Sequence, residues 1–324
     1  MNTTPLLSEL SRHPLVCDGA MGTQLLARGL TSGECGMLWN VNRPADVAGN
    51  HLAYRNAGCD LITTNSFGGS LFALEPHGLA GRGAELNCAA ARVARAAAGD
   101  NGWVLGDVGP FGDFLEPVGD ITADDLREVF QAQIAALIEG GVDAILVETM
   151  SDPAEAVVGI EAAKACASNV PVIVTYAFQK TGSEFRTMMG TSVTEAVQRA
   201  TRAGAEIVGA NCGTGLSLDD YVKLAEQLVE AAGKAMVIVQ PNAGSPRIEN
   251  GGTIYDATPE EMAATATRLL AAGVRIIGGC CGTTPTHLTA MSRVSGPPRF
   301  DCHWSGRFPG IVSASRLLRL GTPA

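Results

Sequence analysis

AGCDLITTN at residues 57–65 recurs in pattern three more times, as GGVDAILVE at 140–148, AGAEIVGAN at 203–211 and AGVRIIGGC at 272–280. Each copy follows an Ala-rich stretch of helical character and sets a glycine (Gly58, Gly141, Gly204, Gly273) just ahead of a short β-branched run. Glycine takes the left-handed conformation that closes a helix, and a short continuous apolar run suits a strand buried on both faces of a parallel sheet. The repeat is a helix-to-strand junction, met four times.

Between the copies lie four more apolar runs without that lead-in: LVCDGA from Leu15, WVLGDVG from Trp103, PVIVTYAF from Pro171 and MVIVQPNAG from Met236. Interleaving the two sets gives eight strands. Helical segments fill the gaps, among them residues 45–57 and 123–139, the second with Thr122 as its N-cap. Eight evenly spaced units predict an α/β fold, a (β/α)8 TIM barrel in a single domain over residues 1–295, with a C-terminal tail at 296–324 of unassigned role. The rival is an open doubly wound sheet, but the first strand runs into DGAMGTQL, which lacks the glycine fingerprint of a dinucleotide site.

Composition narrows the function. With 46% hydrophobic and 17% charged residues, the 324-residue chain can bury a sizeable core. A formal net charge of −10 without a Lys/Arg run offers no attraction to nucleic acid or an anionic membrane, so neither is expected as a partner. No apolar run reaches the roughly 20 residues of a spanning helix. MNTTPLLSELSRHP has neither the basic start nor the apolar stretch of an export signal, and a cytoplasmic location is expected. Nine irregularly spaced cysteines fit reduced thiols or metal ligands better than a disulfide framework.

In such a barrel the reactive groups stand at the carboxyl ends of the strands. Those ends read Asp18 with Gly19, Asn65, Asp107, Glu148, Tyr176, Asn211 with Cys212, Asn242, and Cys280 with Cys281. Cys212 and the Cys280–Cys281 pair close strands six and eight, with one strand between them. Adjacent residues of a strand face opposite ways, so the pair shares a metal only where the chain leaves the strand, and the glycines of GGCCG permit that turn. Three thiolates hold zinc at about 2.3 Å and leave a fourth position for a substrate.

The remaining chemistry-bearing residues read more plainly. Cys17, Cys35, Cys59, Cys88 and Cys166 are expected as ordinary buried cysteines. A disulfide between Cys280 and Cys281 leaves Cys212 unexplained. Cys302 and His303 fall in a Pro-, Gly- and Arg-rich tail and read as surface or packing residues. None of the five histidines closes a strand, which disfavours a metal-dependent hydrolase, and Lys164, Lys180, Lys223 and Lys234 fall on helices or loops, which disfavours a Schiff-base aldolase. His287 belongs to the first turn of a helix opened by Thr284 and Pro285, and is read as a surface residue.

GANCG around Cys212 and GGCCGTTPTH from Gly278 resemble the homocysteine S-methyltransferase family, as do DGAMGT from Asp18, TNSFG from Thr64 and ETMSD from Glu148. The likeness covers residues 15–295. It implies a methyltransferase in which Cys212, Cys280 and Cys281 bind zinc and serve catalysis, while Asp18, Gly19, Glu148 and Asn65 hold homocysteine. PNAG from Pro241 resembles the homocysteine module of cobalamin-dependent methionine synthase, which implies Asn242 as a fourth zinc ligand before the thiol arrives. The favoured donor is then methylcobalamin. No folate-binding second barrel and no cobalamin domain are expected in the chain, so a corrinoid protein is the expected partner, or the donor is free. SGECGMLWN from Ser32 instead resembles bacterial betaine-homocysteine methyltransferases, where Trp39 would face a quaternary ammonium or sulfonium donor. Outside catalysis, the alternative is a zinc- or thiol-binding protein without turnover.

Overall fold

The structure is a computed structural model, and it describes residues 5–31, 33–249 and 252–296. Eight parallel strands follow one another: β1 (Leu15–Val16), β2 (Leu61–Thr63), β3 (Trp103–Val108), β4 (Ala144–Met150), β5 (Val172–Tyr176), β6 (Ile207–Asn211), β7 (Met236–Gln240) and β8 (Ile276–Ile277). Each pairs with its neighbour in sequence, and β8 returns to β1. The last gap closes at Cys17 and Leu61, where the Asp60 N–H donates to the Val16 carbonyl at 2.7 Å and the Asp18 N–H to the Leu61 carbonyl at 3.0 Å. The result is the expected (β/α)8 barrel.

One long helix follows each strand, from Pro44–Asn56 after β1 to Pro285–Val294 after β8. Thr122, Ser192, Ser217 and Thr258 each cap such a helix by accepting a backbone N–H of its first turn, worth about 1 kcal/mol apiece. The four repeat glycines have φ of 94°, 98°, 108° and 102°, the left-handed values that the sequence pattern called for.

Strand alternation separates two cores. Val104, Ile145, Val147, Val174, Val208 and Val239 face outward and pack with helix residues such as Phe130, Ile134 and Leu224. Leu61, Leu105, Leu146, Ile173, Ile207 and Ile238 face inward and fill the barrel. Leu6 and Leu10 of the N-terminal helix Leu6–Arg12 join that inner cluster, so this helix stops the amino-terminal end of the barrel.

The repeat has a second consequence at that end. Asp60 accepts the Val16 N–H at 2.9 Å, Asp143 the Val104 N–H at 2.7 Å, and Glu206 the Val172 N–H at 2.8 Å. Three copies thus pin the start of the preceding strand, and the fourth, with Arg275, bonds the Leu10 carbonyl instead. Two features lie outside the sequence expectation, the hairpins Phe178–Thr181 with Glu184–Thr187 and Arg247–Glu249 with Gly252–Ile254, inserted after β5 and β7. Among the described residues no helix is long and apolar enough to cross a membrane.

Candidate functional site

Following the inward register of each strand to its carboxyl end leads from aliphatic to polar side chains: Thr63, Asp107, Glu148, Thr175, Asn211 and Gln240 lie two or four residues beyond inward-facing Leu61, Leu105, Leu146, Ile173, Ile207 and Ile238. The barrel is dry below and polar at its mouth. Cys212 and Cys280–Cys281 stand at this mouth, and β8 ends at Ile277, so the cysteine pair lies in the turn beyond the strand, as the sequence requires.

The three sulfurs all lie within 4.8 Å of one another. Cys212 Sγ is 3.5 Å from Cys281 Sγ, and Cys280 Sγ is 4.0 Å from Cys281 Sγ. Tetrahedral zinc with bonds of about 2.3 Å sets its sulfurs about 3.8 Å apart, so the triangle has the size that zinc needs. The separation is about twice a disulfide bond, and all three are free thiols. Among the described residues this is the sole cluster of His, Cys, Asp or Glu that suits a metal.

Backbone strain and hydrogen bonds hold the triangle. Cys212 has a φ of 48° and Thr149, in a pairing shift between Val147 and Met150, has a φ of 61°. Both are left-handed values that non-glycine residues rarely adopt. Asn211 links them, donating to Thr149 Oγ1 at 2.7 Å and to Cys280 Sγ at 3.7 Å. Thr283 Oγ1 accepts the Ala20 N–H at 3.0 Å and donates to the Cys280 carbonyl at 2.7 Å, fastening the cysteine turn to the end of β1. Gly19 makes this approach possible, because a Cβ there would sit 2.5 Å from Thr283 Oγ1.

Two tyrosines complete the frame, and neither stood out in the sequence. Tyr221 accepts the N–H groups of Gly213 and Asn242, joining the ends of β6 and β7. Tyr255 donates to Cys281, whose sulfur also accepts from the thiols of Cys212 and Cys280, so the trio's first proton leaves Cys281, held well below the usual thiol range. Hydrogen bonds with the sulfurs of Cys212 and Cys281, and then burial, hold Cys280 well above it. Asn242 is 6% exposed, and its Oδ1 has no hydrogen-bond partner among the described residues. That orphaned oxygen beside the cysteine turn fits a fourth, neutral metal ligand.

Across the mouth stand three carboxyl groups. Asp18, 2% exposed, accepts the Thr63 N–H at 2.9 Å and its hydroxyl at 2.8 Å, and burial pushes its pKa up to about 7. Glu148 is raised by desolvation and by the charges of Asp18 and Cys281, and hydrogen-bonds Asp107. Asp107, read in the sequence only as a strand end, is raised by burial and by Glu148 and Asp18.

Other residues singled out in the sequence have contacts of their own. Both amide hydrogens of Asn65 are engaged, at the Gly36 carbonyl (3.0 Å) and Asn40 Oδ1 (3.0 Å), bracing the segment that carries Trp39. Trp39 is 6% exposed, packs with Leu25 and Val47, and carries the Arg43 guanidinium 3.7 Å above its ring. That stacking occupies one face of the ring with a cation of the chain itself. His287 is not a free surface residue: Nδ1 accepts the Thr284 N–H at 3.1 Å, which leaves Nε2 to donate to the Ala257 carbonyl at 2.9 Å. Cys17, Cys59 and Cys88 are buried as expected, whereas Cys35 and Cys166 are partly exposed. Cys302, His303 and the tail at 297–324 lie outside the described residues. The Asp-x-His-x-x-Gly spacing of cobalamin domains, expected to be missing, occurs there once as DCHWSG at 301–306.

Residues 15–295 match the family model for homocysteine S-methyltransferase. Methionine synthase of Mycobacterium tuberculosis is 33% identical over 319 residues, covering 91% of this chain and 26% of that protein. The Mycobacterium leprae methionine synthase is 32% identical over 308 residues, covering 89% and 25%. The chain thus spans about a quarter of the length of these relatives. The crystal structure of the homocysteine methyltransferase MmuM from Escherichia coli, in its metallated form, shares the fold with a TM-score of 0.72 at 24% identity, covering 90% of this chain and 99% of that one. From the family model and the relatives above 30% identity, the chain belongs to the homocysteine S-methyltransferase family.

Proposed function

We propose that the protein transfers a methyl group to the thiol of homocysteine, giving methionine, with zinc as its cofactor. The observation that carries this reading is the sulfur triangle of Cys212, Cys280 and Cys281, of zinc-thiolate size, facing a buried carboxyl cluster across one barrel mouth. Zinc bound there keeps a thiol ligand deprotonated near neutral pH. Cys212, Cys280 and Cys281 would hold it, and Asn242 Oδ1 would complete the set in the substrate-free state.

The chain's own residues position the acceptor. Asp18 and Glu148 take the ammonium group, and Gly19 lets the end of β1 lie against Thr283 so that this subsite and the cysteine turn stay in fixed relation. The substrate sulfur forms a bond to the methyl carbon, the thiol proton passes to solvent, and the donor keeps the electrons of the broken bond. The favoured donor is methylcobalamin, carried by a separate corrinoid protein or free. Similarity to methionine synthases and the Arg43-stacked Trp39 both favour it over betaine or a sulfonium compound.

The test is methionine formation, followed by mass spectrometry, with zinc-loaded protein offered methylcobalamin, betaine, S-methylmethionine and a dimethylsulfonium compound in parallel. Turnover with methylcobalamin, lost in Cys281→Ala, is the expected result. Turnover only with betaine or a sulfonium donor would reassign the donor. Homocysteine binding with no turnover for any donor would leave a thiol-binding protein.

A further inference from the structure

Asp107 has the surroundings of a ligand contact and not of a structural ion pair. It is 4% exposed and follows Trp103 and Leu105 in the inward register of β3, which places its side chain in the barrel mouth. Its backbone is clamped: the N–H donates to Thr64 Oγ1 at 2.9 Å, and the carbonyl accepts from Ser66 Oγ at 2.7 Å and Gln133 Nε2 at 3.3 Å. The side chain hydrogen-bonds Glu148, and its Oδ1 has no partner among the described residues. The charged groups that act on it, Glu148 and Asp18, are both acidic. A buried carboxyl oxygen without a donor is costly, and no cation among the described residues relieves it.

A metal would draw on the thiols, but among the described residues the carboxyls face no positive group. A primary ammonium brings one positive charge and three N–H donors. Asp18, Glu148 and Asp107 supply three carboxyl acceptors at the ends of β1, β4 and β3. We infer that Asp107 is a third contact for the substrate's α-ammonium group, so that an amino thiol is selected over a thiol acid of the same length. This rests on homocysteine as the acceptor.

The experiment is calorimetric binding of homocysteine and of 4-mercaptobutanoate, which lacks only the amino group, to the zinc-loaded protein and to Asp107→Asn. The amide keeps a hydrogen bond to Glu148 but cannot ionise to meet an ammonium group. Homocysteine binding should weaken about tenfold or more, while 4-mercaptobutanoate changes less than twofold. Equal weakening of both ligands, or of neither, would overturn the inference. Asp107→Ser gives the same comparison should the Asn variant fold poorly. Wild-type protein that binds homocysteine no better than 4-mercaptobutanoate would instead remove the homocysteine reading and the inference with it. Tight wild-type selectivity that survives in Asp107→Asn would remove the inference alone.

Discussion

Replacing Thr283 by valine removes one hydroxyl and keeps the volume. Thr283 is fully buried, so no cavity opens, but the new methyl takes the place of a hydroxyl held at hydrogen-bond distance from the Cys280 carbonyl and the Ala20 N–H, and that crowding adds to the cost. One buried backbone group, the Ala20 N–H, loses its partner at 3.0 Å, while the Cys280 carbonyl loses the hydroxyl at 2.7 Å but keeps the Thr283 N–H at 3.1 Å. The unsatisfied N–H costs about 1–3 kcal/mol and the second lost bond about 0.5–1.5 kcal/mol, which gives about 1.5–4.5 kcal/mol in all. In a chain of this size that lowers Tm by about 2–6 °C. Because the lost bonds tie the cysteine turn to β1, zinc affinity should fall as well, by about tenfold or more when measured by competition with a chromophoric chelator. Thermal melts of the zinc-free form separate the two effects. A variant that melts within 1 °C of the wild type and holds zinc equally well would refute the idea that this hydroxyl couples β1 to the metal turn.

In the zinc-free protein, iodoacetamide should modify Cys281 ahead of the other cysteines, because the thiols of Cys212 and Cys280 and the Tyr255 hydroxyl all favour its thiolate. Peptide mapping would read the site, and preferential labelling of Cys35 or Cys166 would contradict it. Tyr255→Phe should weaken zinc binding about tenfold while leaving the melt of the zinc-free form nearly unchanged, since the hydroxyl bonds the sulfur and the ring stays. Glu155 is 4% exposed, accepts the Phe111 N–H at 2.7 Å, and burial pushes its pKa up to about 7. Its folded pKa lies above the unfolded one, so its contribution to stability is full below about pH 4.5 and is lost as pH rises through about 7. Glu155→Gln should match the wild type in Tm at pH 4 and exceed it at pH 8, and equal melts at both pH values would sink this assignment.

Much of the barrel can be read from residues whose role is local. Gly58, Gly141, Gly204 and Gly273 announce themselves because a left-handed residue must be one of few types, and Thr122 because a cap precedes its helix directly. The cysteine triangle follows from one further rule, that strand ends converge. What escaped depends on partners distant in sequence. Tyr255 meets Cys281, and Tyr221 meets Asn242, only through the closed barrel. Trp39 looks available in sequence because nothing there says that Arg43 lies on its ring. Asn65 reads in sequence as a ligand contact, and only the coordinates show that both of its donors also brace the neighbouring segment. Asp107 was visible as a strand end, but its significance lies in an oxygen without a partner, which only coordinates reveal.

The positive φ angles at Thr149 and Cys212 matter for anyone who evolves this protein in the laboratory. Each costs roughly 1–2 kcal/mol relative to a residue at ease in that region. Glycine or asparagine at either position would relax the chain, so a library screened for heat resistance alone would favour them. At position 212 the hardier descendants would have traded away a sulfur of the metal triangle, and the screen would report the loss as an improvement unless zinc content were scored alongside survival.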